Sequence, residues 1–171
     1  VNYPARYERA FDWLMGVEGF YSNHPADTGG ETAWGISRVH YPHMWREGAP
    51  SREVAKGFYF AEFWRRLKCD ELLTDPVAQE LFEGGVLMGH RRAVEFAQRA
   101  VNAISTSERE LVEDGVMGPK TIQSLNYWGQ RYPAALYNTM NVIQGAFLLG
   151  LNRRDFVRGW MSKRIQAVQG A

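Results

Sequence analysis

Residues 7–37 read YERAFDWLMGVEGFYSNHPADTGGETAWGIS, from Tyr7 to Ser37. The first part of this stretch has a helical period. Tyr7, Phe11, Leu14 and Glu18 fall on one stripe at steps of three and four, with Ala10 beside it. That spacing predicts an amphipathic helix over residues 4–18, and Gly19 offers it a C-cap. The second part changes character. Gly19, Gly29, Gly30, Gly35 and Pro25, with short polar turns around Asn23 and Asp27, predict a small β-hairpin or loop region over 19–37.

Outward from this stretch the chain reads as helix. Ser51 is placed to cap a helix over 52–67 that is rich in aromatics (Phe58, Tyr59, Phe60, Phe63, Trp64). Asp75 followed by Pro76 is a start signal for a helix running to Leu87. Val94, Ala97, Val101 and Ile104 share a face over 90–104, and Gly118–Pro119 opens a helix over 119–128. Residues 133–149 and 153–168 complete the set. The expected fold class is mainly α (α+β). The stretch Thr74–Pro76 divides it into an N-terminal lobe, 1–74, and a helical C-terminal lobe, 75–171.

Composition narrows the function classes. A chain of 171 residues suits one domain, and an apolar fraction of 45% with 23% charged residues excludes a disordered or collagen-like chain. No apolar run approaches the roughly 18–20 residues of a membrane span. A net charge of +1 argues against a dedicated nucleic-acid binder. Cys69 is the single cysteine, so no intramolecular disulfide or Cys-rich zinc site can form; it reads as a small buried hydrophobe. The six Trp invite a search for a carbohydrate groove, although core packing is their commoner use. The sequence begins at Val1 with no visible signal peptide, which leaves the export route open.

Glu18 carries the first chemical signal. It stands on the apolar stripe at the C-terminal end of the first helix. Partial burial disfavours its anion, and so does the partial negative charge of a helix C-terminus. A carboxyl held protonated near neutral pH is what a glycosidase uses as general acid. The competing reading is a terminal-turn Glu in solvent. Asp27 follows nine residues later, and Thr32 supplies a hydroxyl suited to holding a water. One chain reversal brings Asp27 across from Glu18, and paired carboxylates are the equipment of glycoside hydrolysis. Asp27 equally suits an Asx-turn before the Gly pair, and Glu31 competes as the second carboxylate.

Glu18-Gly19-Phe20-Tyr21, followed by Asp27-Thr28-Gly29-Gly30-Glu31-Thr32-Ala33-Trp34-Gly35-Ile36-Ser37, resembles the signature of glycoside hydrolase family 108. That family comprises phage endolysins and related bacterial N-acetylmuramidases. Its pattern runs Glu-Gly-Gly-Tyr, then Asp-x-Gly-Gly-x-Thr, then Gly-Ile, and Phe20 replaces the second Gly. The spacing also resembles the Glu-x8-Asp-x5-Thr triad of phage lysozymes. Glu18 to Asp27 fits it, while Asp27 to Thr32 is one residue short. In the C-terminal half, Ala97-Gln98-Arg99-Ala100-Val101-Asn102 and Asp114-Gly115-Val116-Met117-Gly118-Pro119-Lys120-Thr121 resemble the family's peptidoglycan-binding region. Part of the second string has a structural reading, since Asp-Gly makes a turn and Gly-Pro starts a helix. Val86-Leu87-Met88-Gly89 departs from the family's Val-Asn-x-Gly.

The resemblance implies a lysozyme-like, two-lobed fold with a small N-terminal β-hairpin and a helical, peptidoglycan-binding-like C-terminal lobe. It implies a phage endolysin that lyses its host by hydrolysing the β-1,4 bond between N-acetylmuramic acid and N-acetylglucosamine. Glu18 would be the general acid, Asp27 the second carboxylate, and Thr32 a positioner of water. Tyr21, Trp34 and Trp45 are candidates for the sugar groove and His24 for its rim, each with an ordinary core or surface alternative. Inverting enzymes hold the carboxyls about 6.5–9.5 Å apart and retaining ones about 5–5.5 Å; the phage-lysozyme spacing leans to inversion. The implied partner is bacterial peptidoglycan, met by a monomer without metal or cofactor. The chain would be made in the host cytoplasm and act on the wall in the periplasm.

Rival readings are a non-catalytic wall-binding protein, a lytic transglycosylase and a zinc amidase or peptidase. For the last, His40 and His43 stand three apart with His24 or Asp27 as possible partners, but no His-Glu-x-x-His occurs. Residues 151–171 hold Arg153, Arg154, Arg158, Lys163 and Arg164 against Asp155. They read as a basic amphipathic helix, either packed with a solvated face or in weak contact with an anionic wall or membrane.

Overall fold

The first helix, α1 (Ala5–Glu18), forms where its period places it, with Tyr7, Phe11 and Leu14 fully buried and Ala10 and Met15 beside them. A computed structural model of the chain describes residues 2–18, 21–22, 30–106, 110–151 and 153–163; for 17, 18, 154–157 and 160 the backbone alone is described. Gly19 and residues from 164 onward therefore lie outside the described residues. The chain is mainly α with a small β part near its N-terminus. It divides into two compact units, Val1–Glu62 and Phe63–Ala171.

In the first unit, the hairpin region is a three-stranded antiparallel sheet, β1 (Tyr21–Ser22), β2 (Thr32–Ala33) and β3 (Ile36–Ser37). A 3-10 turn at Pro42–Trp45 leads to α2 (Arg52–Tyr59). Ser51 caps α2 as expected, its hydroxyl accepting from the Val54 N–H at 3.2 Å. Polar ties join α2 to α1. The Tyr7 hydroxyl donates to the Lys56 carbonyl at 2.6 Å, Lys56 Nζ donates to Glu8 Oε1 at 2.6 Å, and Arg52 pairs with Asp12. The Phe11 and Tyr59 rings meet at 6.0 Å in the core between them.

The continuous helix expected over 52–67 does not form. It stops at Tyr59 and gives way to a π-turn at Phe60–Trp64. The buried aromatics explain the change. Phe58, Tyr59, Phe63 and Trp64 are buried and recur at a spacing of five, which matches i→i+5 winding better than a 3.6-residue period.

The second unit holds α3 (Asp75–Met88), α4 (His90–Ile104), α5 (Pro119–Arg131), α6 (Pro133–Gly150) and α7 (Arg154–Lys163). Helices α3, α4 and α6 pack on one another, α5 packs on α4 and α6, and α7 on α6. Thr74 occupies the N-cap of α3, so the helix begins at Asp75, ahead of Pro76. Cys69 is buried, as expected of a small apolar side chain. No helix among the described residues is long and apolar enough to cross a membrane.

The two C-terminal sequence strings meet in space. Gln98 on α4 donates to Asp114 Oδ1 at 2.9 Å, to Thr121 Oγ1 at 3.1 Å and to the Val116 carbonyl at 3.2 Å. Its own carbonyl accepts from the Gly115 N–H at 2.9 Å. Asn102 accepts from the Leu111 N–H and donates to the Leu111 carbonyl and Glu113. These bonds satisfy the backbone of a segment without regular structure, which would otherwise bury unpaired groups. Gly115 has φ +72°, and a Cβ there would lie 2.5 Å from the Arg91 carbonyl oxygen, so glycine is required on two counts. The strings therefore have a structural role.

Glu80 and Glu83 lie one turn apart on α3 and are both buried. Burial pushes Glu80 up to about 8, against a lowering hydrogen bond from Asn141. Burial and the neighbouring Glu80 push Glu83 well up too. Both are protonated in the folded chain at pH values where the unfolded chain ionises them. Raising the pH therefore favours the unfolded state, and this stabilisation, complete below the ordinary carboxyl range, is lost as pH approaches about 8. Each such carboxyl contributes a slope of up to about 1.4 kcal/mol per pH unit. Glu80→Gln, a near-isostere of the protonated acid, should be more stable than wild type at high pH and show a shallower pH slope. Urea unfolding across this range measures both, and an unchanged slope would remove Glu80 from the account.

Candidate active site

All sequence candidates for the site belong to the first unit. Helix α1 ends at Glu18. By helical period that position shares a face with Phe11 and Leu14. The chain enters β1 three residues later. The register pairs Tyr21 with Ala33 and Ser22 with Thr32, then Thr32 with Ser37 and Ala33 with Ile36. Thr32 is thus on the central strand, half-buried, with its hydroxyl in a long 3.5 Å contact to the Ser22 carbonyl. His24 and Asp27 lie outside the described residues, in the chain between Ser22 and Gly30, as does the Glu18 side chain.

Trp34 and Gly35 join β2 to β3 with φ of +53° and +76°. Two successive positive φ values make a type I′ hairpin turn, which matches the twist of the flanking strands. A bulky residue in this region is strained by roughly 1–3 kcal/mol and persists only when its surroundings hold it. Here the buried Tyr59 hydroxyl donates to the Trp34 carbonyl at 3.0 Å. Trp34 itself is half-buried at the turn. Trp45 is core instead, 6% exposed, with the Arg38 guanidinium over its ring at 5.8 Å.

Glu31 is the carboxylate whose surroundings are described. The Tyr21 hydroxyl donates to its Oε1 at 2.9 Å, and Arg38 donates to its Oε2 at 2.8 Å. Those two bonds, Arg38 first, hold it below the usual carboxylate range, so it is an anion bridging the sheet. Tyr21 is half exposed. Neither Arg38 nor Tyr59 stood out in the sequence. Their roles appear only once the strands pair, because no periodicity links them to Glu31 or Trp34.

Two cavities of about 420 Å³ each adjoin His43 and Met44, one toward Pro50 and Val54, the other toward Tyr41 and Phe58. Neither is lined by a residue of the sheet. Among the described residues, no group of three or more His, Cys, Asp or Glu side chains is arranged to hold a metal ion.

Comparison with known proteins adds what geometry alone leaves open. Residues 11–89 match the model of Glycosyl hydrolase 108, and residues 92–165 match that of the Predicted Peptidoglycan domain. The chain thus joins a glycoside hydrolase family 108 region to a C-terminal peptidoglycan-binding region. Among solved structures, SagA of Brucella abortus is similar, with 25% identity and a TM-score of 0.73 over 93% of this chain and 88% of that one. No curated protein matches it. The protein is accordingly a glycoside hydrolase that acts on peptidoglycan, and its action is on the cell wall. The catalytic-family match takes in α1 from Phe11 onward, the sheet, α2 and α3; the peptidoglycan match takes in most of α4, then α5, α6 and α7.

Tyr59→Phe tests the tie on the strained turn. Loss of one hydrogen bond should cost about 0.5–1.5 kcal/mol in urea unfolding. Wall hydrolysis should fall as well, with the far-UV circular dichroism spectrum unchanged. Full hydrolysis by the destabilised variant would show that the Trp34 turn does not serve the site.

Proposed function

We propose that this hydrolase is an N-acetylmuramidase that cleaves the β-1,4 bond between N-acetylmuramic acid and N-acetylglucosamine. Glu18 is the general acid, Asp27 the second carboxylate and Thr32 a positioner of the attacking water. Tyr21, His24 and Trp34 contact the sugar chain. In this reading residues 1–74 form the catalytic lobe and 75–171 the wall-binding one. The observation that carries it is the ordered run from Glu18 to Ser37 inside the region matched to family 108. The helix terminus at Glu18 supports the same role, since the partial negative charge there favours a protonated carboxyl. Glu31 is engaged as an ionised bridge between Tyr21 and Arg38, which favours Asp27 as the second carboxylate. The Glu18–Asp27 spacing, shared with phage lysozymes, favours inversion.

The biological setting that fits is a monomeric phage endolysin, needing no metal or cofactor and reaching the wall from the periplasm. Its basic C-terminal helix would add weak contact with anionic wall or membrane. Exposed Arg158 and Lys163 on α7 are consistent with such contact.

Mass spectrometry of purified peptidoglycan, digested without added metal, tests the chemistry. Wild type should release muropeptides with reducible muramic acid ends. Glu18→Gln should release them at least about 100-fold more slowly, as loss of a general acid requires. Asp27→Asn should be similarly severe and Glu31→Gln mild; the reverse order would make Glu31 the second carboxylate. Anhydro ends would indicate a transglycosylase, free stem peptides an amidase, and an intact wall a binding protein.

A further inference from the structure

The peptidoglycan match covers the second unit from Arg92 onward but names no residue that meets the polymer. One surface there is built differently from the rest. Arg92, Phe96 and Arg99 recur along α4 at steps of four and three and so share a face. Two cavities of about 590 and 520 Å³ have Arg92 and Glu95 in common. The first extends past Arg91 to Met88, and the second runs between α4 and α6 to Val142 and Phe147. The two adjoin at Arg92 and Glu95.

Its floor is aromatic and its edge cationic. The Phe96 and Phe147 rings meet edge-on at 5.5 Å. The Arg92 guanidinium lies 4.5 Å from the Phe147 centroid, and that of Arg99 lies 5.5 Å from Phe96. Both arginines remain exposed, and Val142 is 67% exposed beside them. A guanidinium stacked on a ring keeps its planar fork of N–H donors available and gives up less entropy when it binds. Among the described residues lining the two cavities, Arg91, Arg92 and Arg99 outnumber the acid Glu95; Arg91 also feels Asp114. Arg91 and Arg92 stand in the first turn of α4, which has no acidic residue, where the helix dipole disfavours positive charge.

The ligand must therefore carry anions spaced along apolar groups. In peptidoglycan, the lactyl carboxyl of each muramic acid is consumed in its amide to the stem peptide. The glycan is then neutral, and the free carboxylates and alanyl methyl groups belong to the peptides. Resting on the reading of this chain as a peptidoglycan hydrolase, we propose that the α4–α6 groove binds stem peptides, with Arg92 and Arg99 engaging their carboxylates and Phe96 and Phe147 their methyl groups. The groove would hold the enzyme on peptide-bearing wall independently of the sugar-cleaving residues.

Co-sedimentation with purified walls tests this, using the full chain carrying Glu18→Gln so that the polymer stays intact. The probes are walls with intact stem peptides and glycan strands stripped of them by an amidase. The parent should prefer the peptide-bearing wall. Arg92→Gln with Arg99→Gln should weaken binding to that wall by roughly fivefold to tenfold, the effect of two part-exposed ion pairs, and leave binding to stripped glycan unchanged. Glu95→Gln should tighten binding to the peptide-bearing wall, a gain that misfolding cannot mimic. Equal parental binding to both probes would overturn the proposal. So would undiminished wall binding by the arginine variant, or retention that follows wall phosphate polymers and not the peptides. The muropeptide assay is independent: arginine-dependent binding without muropeptide release would leave the groove standing and refute the muramidase reading, and the converse would do the opposite.

Discussion

Strands of two residues carry too few ladder hydrogen bonds to persist alone, so the sheet that follows α1 depends on what ties it down. Its main tie is the Tyr59 hydroxyl at the Trp34 carbonyl, reaching from the last residue of α2 to the tip of the β2–β3 turn. Buried Ala33, Ile36 and Ser37 hold the inner edge, and Glu31 links Tyr21 to Arg38 on the outer one. These few contacts keep a strained tryptophan at the surface and place Thr32 beside Ser22. Thr32 thus sits on a feature that local propensity would not sustain.

The second unit solves a different problem. Its helices pack on one another, and the difficulty is the stretch 110–118 ahead of α5, which forms neither helix nor strand. Gln98 and Asn102 serve as its partners, each using both ends of its amide. A buried amide so fully engaged rigidifies its surroundings, because leaving any one of its groups unpaired would be costly at low dielectric. Glu80 and Glu83 follow the same logic by another route, staying neutral because burial disfavours their anions. The outer face of α4 is free of these duties, and there arginines stack on phenylalanines beside an open groove.

Cleavage and attachment thus draw on different chemistry in different stretches of chain. Hydrolysis of a glycosidic bond needs carboxyls whose protonation is set by a helix end and by burial. Attachment to a wall needs charge and apolar surface that stay exposed. On the reading proposed above, a chain that joins a family 108 region to a peptidoglycan-binding region would keep its grip on the polymer while the bond it acts on changes.

Helix positions were legible in the sequence because burial has a period. Tyr7, Phe11 and Leu14 announce α1, Ser51 announces α2, and Gly118–Pro119 announces α5. The ordered motif from Glu18 to Ser37 likewise identified the family, since it is contiguous and its spacing is covalent. What the sequence could not show were pairings between residues far apart in the chain. The π-turn at Phe60–Trp64, the left-handed Trp34 held by Tyr59, the Glu31 bridge and the arginine-edged groove between α4 and α6 were decided only in the tertiary structure. Periodicity reports which side of an element faces inward. It carries no information on which distant side chain waits there, and that is settled by packing and by the need of every buried polar group for a partner.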